Sequence, residues 1–361
     1  MIPQGCVAAC PACEHRELSP EESLRKKSEA LRSLIPDVDP GVWKPIRGAR
    51  ESLGYRRRIT LHAEWRQNAW QFGVLRRRPG RKKPEFVAIP DCPVHDPGWN
   101  EVFRRLQPVL PKEMPLSFVA ASGGFLSLVL KCGAEDAKRW GLGPALEKAL
   151  EGSVAQAAFL NAHAAAGDRV LNSKGWIPLY GPSLLHDGEL GLWYGPDSFQ
   201  QLVPELYRES VEEAAAFLRG GETVVDLCSG LGYTLRRWTQ AGADTVGVEL
   251  GGGAVAACQK NAPQALVLRG RCSERVPQLD AWLSGRACVV YANPPRLGME
   301  DEVLEWIRER AVRLAYLSCS PGTLRRDILA LRGWRVVSLT PFDFFPLTRH
   351  AEMLACLERV S

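Results

Sequence analysis

The chain has 361 residues, of which 45% are hydrophobic and 24% charged, and this composition excludes a disordered protein. Its length allows two ordinary domains with their own cores. No apolar run approaches the ~20 residues that span a bilayer, and the N-terminus lacks the basic flank and apolar core of a signal peptide. We therefore expect a cytoplasmic monomer with no membrane partner. Its 11 cysteines are an odd number, so a disulfide framework is not expected.

Positive charge is concentrated in two short runs, although the net charge of the chain is only +5. Three arginines occupy positions 56–58, and six of the eight positions 76–83 are Arg or Lys. One such run alone also fits a solvated hairpin loop, but two in one region favour an RNA partner. Trp65 and Trp70 lie between the runs and either stack on exposed bases or form the core of a hairpin.

The N-terminal half, residues 1–195, has the pattern of an α+β domain. Ser19 and Glu22 bracket Pro20 as a helix start, which predicts a helix through Leu34. Leu24, Leu31 and Leu34 are expected on its buried side. Strands are predicted at 56–65, 69–77 and 86–89, a hairpin at 115–131 that turns at 122–124, and helices at 135–151 and 154–165.

The C-terminal half, residues 196–361, alternates strands with helices and therefore predicts an α/β domain with a mainly parallel sheet. A long helix at 204–218 leads into it. The predicted strands are 223–227, 245–249, 265–268, 287–292, 315–318 and 335–339, followed without a helix by 352–358. That last connection suits an antiparallel insertion.

A glycine-rich turn follows the first strand of this half. The strand ends near Asp226, and Ser229, Gly230 and Gly232 lead into a helix, as in turns that approach a ligand closely. Glu249 ends the second strand, where a carboxylate can accept hydrogen bonds from a ribose. A plain turn is the alternative. The pattern D-x-x-S-G-x-G looks more like S-adenosylmethionine methyltransferases than like nicotinamide enzymes.

Three further segments follow strands at the edge where α/β proteins bind ligands. Asn293 opens the turn N-P-P-R, Cys319 follows the fifth strand, and Glu352 enters the last one. A helix start after Cys319 would lower its thiol pKa. The alternatives are a proline-rich turn, a small buried cysteine and a surface ion pair or cap.

Four cysteines have spacing typical of a metal centre. Cys6, Cys10 and Cys13 lie within eight residues, and Cys92 lies far downstream. Such a set can ligate a [4Fe–4S] cluster or a zinc ion, with His95 as a substitute ligand for zinc. Chance clustering among 11 cysteines is the alternative.

Together these motifs resemble the RNA uridine-C5 methyltransferase family, which makes 5-methyluridine in tRNA and 23S rRNA. The specific blocks are S-C-x-P-x-T-L at 318–324 and F-P-x-T-x-H-x-E at 345–352. The remaining matches are the N-terminal C-x-x-C run, Tyr55–Arg58, Ser198–Gln201, Asp226–Gly232, Glu249 and the N-P-P-R turn. We expect no N-terminal TRAM domain, which together with the cysteines is similar to the 23S rRNA branch.

The resemblance implies a class I Rossmann-like S-adenosyl-L-methionine methyltransferase domain at 196–361 and an RNA-binding domain with an iron–sulfur cluster at 1–195. It implies Cys319 as nucleophile and Glu352 as base. It further implies that Cys6, Cys10, Cys13 and Cys92 hold a [4Fe–4S] cluster, and that the cofactor site includes Gln201, Asp226, Ser229, Gly230, Gly232, Glu249 and Asn293.

The chain departs from the family pattern at four places. Asn293 replaces the usual Asp, Val203 stands where Asn is frequent, and the acidic residue expected near 271–273 is missing. The first cysteine gap is three residues, where relatives usually have five.

Two other functions fit parts of the sequence. In amino-group methyltransferases an N-P-P turn orients an NH2 group and no cysteine is needed, although an aromatic usually follows where this chain has Arg296. The second alternative function is a non-catalytic RNA-binding module, and the presence of Cys319 and Glu352 argues against it. Within the family, tRNA remains an alternative substrate to 23S rRNA.

Overall fold

The computed structural model of the protein describes residues 2–164, 170–172, 174–219 and 222–360. The chain folds as two compact units, each built from separate stretches. The first comprises Met1–Leu18, Glu51–Leu185 and Gly195–Leu202, and the second comprises Ser19–Arg50, His186–Tyr194 and Val203–Ser361. This division differs from the single predicted boundary between residues 195 and 196.

The helices of the described residues vary from one turn to four. They are α1 (Pro20–Leu34), α2 (Pro97–Leu106), α3 (Ala134–Lys138), α4 (Gly143–Ala149), α5 (Pro204–Leu218), α6 (Tyr233–Gln240), α7 (Gly252–Asn261), α8 (Cys272–Leu283), α9 (Asp301–Arg310) and α10 (Pro321–Ala330). In this part of the chain no helix combines the length and apolar character that a membrane crossing requires.

The strands form two seven-stranded sheets and one small ribbon. They are β1 (Arg58–Arg66), β2 (Ala69–Arg76), β3 (Glu85–Ala88), β4 (Leu116–Ser122), β5 (Phe125–Leu130), β6 (Ala157–Ala162), β7 (Trp176–Tyr180), β8 (Leu185–Asp187), β9 (Leu192–Tyr194), β10 (Thr223–Leu227), β11 (Asp244–Glu249), β12 (Leu266–Arg269), β13 (Cys288–Ala292), β14 (Ala311–Ser318), β15 (Trp334–Phe342) and β16 (Glu352–Arg359).

The first unit is built on a sheet in the order β3-β2-β1-β4-β5-β6-β7. The predicted hairpins at its start are confirmed, and the turn between β4 and β5 lies where the sequence placed it. Trp70 is buried and donates its indole N–H to the carbonyl oxygen of Pro111 at 3.2 Å. This tryptophan therefore belongs to the hairpin core, and Trp65 packs edge-on against it with ring centroids 5.7 Å apart.

One helix prediction in this unit is wrong, and a second is correct only in part. The segment 154–165 contains strand β6, which pairs parallel to β5 and is buried along its whole length; Ala165 lies outside the described residues. Burial in the sheet overrides the helical propensity of its alanines. The helix predicted at 135–151 is split into α3 and α4, because Gly141 and the Gly143-Pro144 pair interrupt it.

The second unit is a Rossmann-like sheet in the order β12-β11-β10-β13-β14-β16-β15. Strands β10 to β14 run parallel, and β16 inserts antiparallel between β14 and β15, as expected. The order reverses between β10 and β13, and such a reversal opens a crevice at the carboxyl ends of the strands. The sheet thereby collects the ends of β10, β11, β13 and β14 along one edge.

Residues 19–50 belong to the second unit, in contrast to the prediction, because they attach to β15. The backbone bridges Trp43 with Leu339 and Arg47 with Phe342. Helix α1 begins as predicted, with the hydroxyl of Ser19 accepting the N–H of Glu22 at 3.1 Å. A sequence-based boundary missed this attachment because it depends on contacts more than 280 residues apart, well beyond any local pattern.

The buried side of α1 also differs from the prediction. Leu31 is buried, but Leu34 is 52% exposed, and the central buried residue is Lys27 at 1%. The ammonium group of Lys27 donates to Asp343 Oδ1 at 2.5 Å and to the carbonyl oxygen of Phe345 at 3.0 Å. The buried side of α1 therefore contains a charged residue with an internal ion-pair partner, Lys27, in addition to Leu31, and Leu34 does not belong to it.

Replacing Lys27 with Met should destabilise the protein by about 3–5 kcal/mol, because the buried Asp343 carboxylate loses its ammonium partner. Urea unfolding monitored by circular dichroism measures the loss. Arg25→Met is the matched control, since its ion pair with Glu29 lies on the exposed face of the same helix. The double variant K27M/D343N should recover part of the stability. Equal, small effects of K27M and R25M would contradict the role given to this pair.

Candidate active site

The glycine-rich turn after β10 has the predicted strand–turn–helix geometry. Asp226 is fully buried at the end of the strand, and its Oδ2 accepts the indole N–H of Trp238 at 3.1 Å. Burial raises the pKa of Asp226 to about 7. Gly230 and Gly232 have φ of +54° and +83°, which favour glycine, and a Cβ on Gly232 would approach the sulfur of Cys258 to 2.6 Å. The turn therefore requires its glycines.

Glu249 lies at the end of β11 and closes onto this turn. Its Oε2 accepts the N–H of Gly230 at 2.9 Å, and its Oε1 accepts the N–H of Gly251 at 2.7 Å. Ser229 is tied to the same strand, because its N–H donates to the carbonyl oxygen of Val248 at 3.1 Å. Each carboxylate oxygen keeps a further lone pair with which it can accept a hydroxyl group. The structure thus brings together Asp226, Ser229, Gly230, Gly232 and Glu249, as the sequence predicted.

Cys319 and Glu352 lie opposite each other across two neighbouring strands. The antiparallel register of β14 and β16 pairs Ser318 with Met353, so the residue after Ser318 faces the residue before Met353. Glu352 is 3% exposed, whereas Cys319 is half-buried. A half-buried thiol beside a buried carboxylate can act as a nucleophile and a base at one point of the sheet edge.

The electrostatics of this pair follow from burial. Burial raises the pKa of Glu352 to about 7, and the positive charge of Arg296 opposes this shift. Contrary to the lowering expected from the following helix start, burial raises the pKa of the Cys319 thiol; the negative charge of Glu352 adds to the rise, and Arg296 again opposes it. Oε2 of Glu352 is buried and has no hydrogen-bond partner among the described residues. This oxygen is therefore available to accept a proton or a hydrogen bond.

Arg296 is a member of the site that the sequence analysis did not assign. It is exposed on the N-P-P-R turn and acts on both Cys319 and Glu352. Asn293 starts this turn, and its backbone N–H donates to the carbonyl oxygen of Leu227 at 3.1 Å, which ties the turn to the end of β10. Arg296 is part of the N-P-P-R motif and could have been assigned to the site from the sequence. In the sequence analysis it served only as an argument against an amino-group methyltransferase.

A buried carboxylate anchors the far side of the N-P-P-R turn. Oδ2 of Asp327 accepts the N–H of Met299 at 3.0 Å and the hydroxyl of Tyr316 at 2.8 Å. The neighbouring Arg326 donates to the carbonyl oxygens of Leu297 and Met299, both at 3.0 Å. This network holds the loop that carries Arg296. Sequence reasoning missed Asp327, although an acidic residue three positions after Leu324 on the buried face of α10 was a usable signal.

In the first unit, the pKa of Cys13 responds to three other thiols, those of Cys6, Cys10 and Cys92. Burial raises the pKa of Cys13 to about 11, and negative charge on Cys92, Cys10 and Cys6 adds to the rise. Among the described residues, however, no group of three or more His, Cys, Asp or Glu side chains is arranged to hold a metal ion. The ligand set of a metal cluster therefore stays a prediction.

Two other predicted residues of the first unit have different surroundings. His95 is buried, its Nδ1 lies 3.2 Å from Oδ1 of Asn100, and burial lowers its pKa to about 4. It therefore has the environment of a hydrogen-bonded core histidine. Gln201 is half-buried near the end of the stretch Gly195–Leu202, and its role as a cofactor ligand stays a prediction.

The basic runs are partly neutralised by nearby acids. Arg76 and Arg78 both pair with Glu85, at 2.8 and 2.6 Å, and Arg57 pairs with Asp96 at 3.2 Å. Exposed cations of the second run remain on the loop between β2 and β3, at positions 77, 81, 82 and 83. This loop is the densest positive surface segment in the sequence of the first unit.

The known proteins that this chain resembles include methyltransferases that are named as acting on C5 of uracil in RNA. A family model described as tRNA (Uracil-5-)-methyltransferase matches residues 277–360. A 23S rRNA (uracil(1939)-C(5))-methyltransferase of Pseudomonas fluorescens is 29% identical over 99% of this chain and 80% of its own length. The enzyme of that name from Pseudomonas putida is 28% identical over 97% of this chain and 78% of its own length.

The same fold occurs in a solved structure. The Pyrococcus abyssi tRNA (uracil-54, C5)-methyltransferase, crystallised with S-adenosyl-L-homocysteine, aligns with a TM-score of 0.74 at 18% identity. The alignment covers 97% of this chain and 86% of the other. At this level of identity the likeness concerns the fold.

The pH dependence of stability tests the environment of Glu352. A carboxyl group with a pKa of about 7 when folded and 4.5 when unfolded binds more protons in the folded state. The free energy of unfolding should therefore fall by up to about 3 kcal/mol as the pH rises from about 4.5 through about 7. Glu352→Gln removes this contribution, so its melting temperature should fall less between pH 5 and pH 8 than that of the wild type. Parallel pH profiles for the two proteins would show that Glu352 is not buried as described.

Proposed function

We propose that this chain is an RNA uracil-C5 methyltransferase that forms 5-methyluridine in RNA, with S-adenosyl-L-methionine as methyl donor. The observation that carries the proposal is the position of Cys319 opposite Glu352 at the edge of a Rossmann-like sheet. The two Pseudomonas relatives, which match nearly the whole chain, are named as 23S rRNA enzymes, so we propose 23S rRNA as the substrate class.

The proposed mechanism solves a problem of reactivity, since C5 of uracil is too weak a nucleophile to attack a methyl sulfonium unaided. The thiolate of Cys319 adds to C6, which makes C5 enolate-like. The methyl group supplied by S-adenosyl-L-methionine is transferred to C5. Glu352 then removes the C5 proton, and the thiolate of Cys319 leaves C6. The target uridine has to be unstacked to reach a nucleophile at a sheet edge.

The electrostatics described above suit these two roles. A base works best when its pKa lies near the working pH, and burial brings the pKa of Glu352 to about 7. The nucleophile has the opposite difficulty, because burial and Glu352 both raise the pKa of Cys319. Arg296 favours the thiolate, so we propose that it helps to generate the nucleophile.

The turn after β10 fits a nucleoside cofactor. A Cβ on Gly230 would meet nothing within 4 Å, so the space beside this turn is open to a ligand. We propose that Glu249 binds the ribose hydroxyls and that Ser229, Gly230 and Gly232 line the turn. Asp226 and Asn293 keep the cofactor roles that the family resemblance gives them. Asn293 offers an amide, which can donate as well as accept, where the family usually has a carboxylate.

We also propose that Cys6, Cys10, Cys13 and Cys92 hold a [4Fe–4S] cluster. Support comes from the mutual effect of these thiols on the pKa of Cys13. In such a cluster each thiolate binds a different iron, so the four sulfurs lie farther apart than around one ion. Among the described residues no group of three or more His, Cys, Asp or Glu side chains is arranged to hold a metal ion, so the proposal depends on the family resemblance and on the electrostatic effect of these thiols on Cys13. The cluster takes no part in the proposed methyl transfer.

The two catalytic roles should fail differently when each residue is replaced. Cys319→Ala should form no covalent species and transfer no methyl group. Glu352→Gln should still add to C6 and methylate C5, then stall, because an amide is a very poor base. A denaturing gel should therefore show a protein–RNA adduct that carries the methyl label of the donor and accumulates only in Glu352→Gln.

Cys132→Ala is the control for this experiment, since Cys132 lies outside the site, and it should behave as the wild type. An amino-group methyltransferase would form no adduct and would tolerate Cys319→Ala. A non-catalytic RNA-binding module would transfer no methyl group in any variant. Normal turnover by either Cys319→Ala or Glu352→Gln would contradict the mechanism.

The cluster is tested by iron content and colour. Protein purified without oxygen should contain about four irons and absorb broadly near ~400 nm. Cys13→Ser should lose both properties, while Cys132→Ser should keep them because Cys132 is not among the four proposed ligands. A colourless protein with one zinc ion would exclude the [4Fe–4S] assignment.

A further inference from the structure

Two cysteines that the proposed mechanism does not use lie beside the cofactor turn. The sulfur atoms of Cys228 and Cys272 are 3.8 Å apart. Cys228 directly follows β10, and Cys272 is the first residue of α8, after β12. Strand β11, which ends at Glu249, lies between β10 and β12 in the sheet. The two cysteines therefore follow the strands on either side of β11, which ends at Glu249, the proposed ribose ligand.

We propose that Cys228 and Cys272 form a reversible disulfide in the presence of a peroxide, and that this disulfide lowers the affinity for S-adenosyl-L-methionine. The second part rests on the proposed function, while the first does not. A disulfide requires a sulfur–sulfur distance of ~2.05 Å, so the two sulfurs have to approach by less than 2 Å from their 3.8 Å separation.

The chemistry needs only the two thiols and the peroxide. Cys272 is the better nucleophile, because it sits at the N-terminus of a 12-residue helix and the hydrogen bond from Cys228 lowers its pKa. Its thiolate attacks one peroxide oxygen, which gives a sulfenic acid and releases the other oxygen as water after protonation. The thiol of Cys228 then attacks that sulfur, forms the S–S bond and releases the second water. Two thiols lose two electrons, and the peroxide gains them.

Closing the disulfide also moves Cys228, and this part of the movement falls on the glycine-rich turn after β10. The start of α8 is held by two hydrogen bonds, from the N–H of Ser273 to Glu300 at 2.9 Å and from the N–H of Arg271 to Glu274 at 3.2 Å. Cys228 belongs to a turn and has a φ of +61°, a left-handed conformation that is unfavourable for a residue with a side chain.

Displacement of Cys228 would shift the residues that follow it. Gly230 contacts Glu249 through a 2.9 Å hydrogen bond, and this contact would be strained or lost when the turn is drawn towards α8. The oxidised protein would then present a distorted ribose-binding site. The two cysteines would act as a redox-sensitive control on cofactor binding without touching the reacting atoms.

The test measures the disulfide and the cofactor affinity separately on the full-length protein. Wild type, Cys228→Ser, Cys272→Ser and the control Cys132→Ser are treated with hydrogen peroxide, and free thiols are then alkylated. Peptide mass spectrometry should find a peptide pair joined through Cys228 and Cys272 in the wild type and in Cys132→Ser only. Isothermal titration should show the affinity for S-adenosyl-L-methionine falling about tenfold or more in these two proteins and recovering with dithiothreitol.

Cys228→Ser and Cys272→Ser should keep their affinity after peroxide, even though Cys319 and the four N-terminal cysteines are oxidised in all variants. Absence of the joined peptides overturns the disulfide. Joined peptides with unchanged affinity, or an equal loss of affinity in Cys272→Ser, overturn the control of cofactor binding. A reduced wild type that does not bind S-adenosyl-L-methionine refutes the proposed function and the affinity effect together, while the peptide map still decides whether the disulfide forms.

Discussion

The antiparallel pairing of β16 with β14 determines whether the site exists at all. Because Ser318 pairs with Met353, the first residue after β14 and the first residue of β16 meet at the same edge of the sheet. A shift of the register by one residue would turn Glu352 to the other face of the sheet, away from Cys319. Strand β16 is paired on both sides, with Glu352 itself opposite Phe342 of β15, so its register is fixed twice.

Supporting contacts around this pairing come from distant parts of the chain. Lys27, in the first helix, bonds to Asp343 and to Phe345 in the segment between β15 and β16. Asp327, in the helix after Cys319, holds the loop that carries Arg296. Both are buried charges, which cost free energy unless they are well paired, and each is paired. In the second unit a buried charged side chain therefore supports both the segment between β15 and β16 and the loop that carries Arg296.

The negative charge of Glu352 disfavours a thiolate on Cys319, and the positive charge of Arg296 opposes this effect. In the proposed mechanism Glu352 is the base, and burial raises its pKa to about 7, but its negative charge also disfavours the thiolate of Cys319. The positive charge of Arg296 acts on both groups and reduces the rise in both pKa values. A reaction in which the two groups act one after the other, the thiolate first and the base later, is compatible with this arrangement.

The sequence predicted the second unit better than the first. Strand β10 and helix α5 have the predicted bounds, and the antiparallel β16 was expected, because hydrophobic runs between glycine-rich turns are strong local signals. The strand–turn–helix geometry of the glycine-rich turn after β10 was predicted for the same reason. The alanine-rich β6 was mistaken for a helix, since only its pairing with β5 makes it a strand. Lys27 and the attachment of residues 19–50 depend on contacts distant in sequence, which no local pattern contains.

The central claim is that the methyl group goes to C5 of uracil after addition of Cys319 to C6. RNA labelled with tritium at C5 of uracil, incubated with the protein and S-adenosyl-L-methionine carrying carbon-14 in its methyl group, tests this most directly. Substitution at C5 must displace the hydrogen there, so tritium release into water should equal methyl transfer to the RNA, mole for mole. Methyl transfer without tritium release would place the product at another atom and contradict the account.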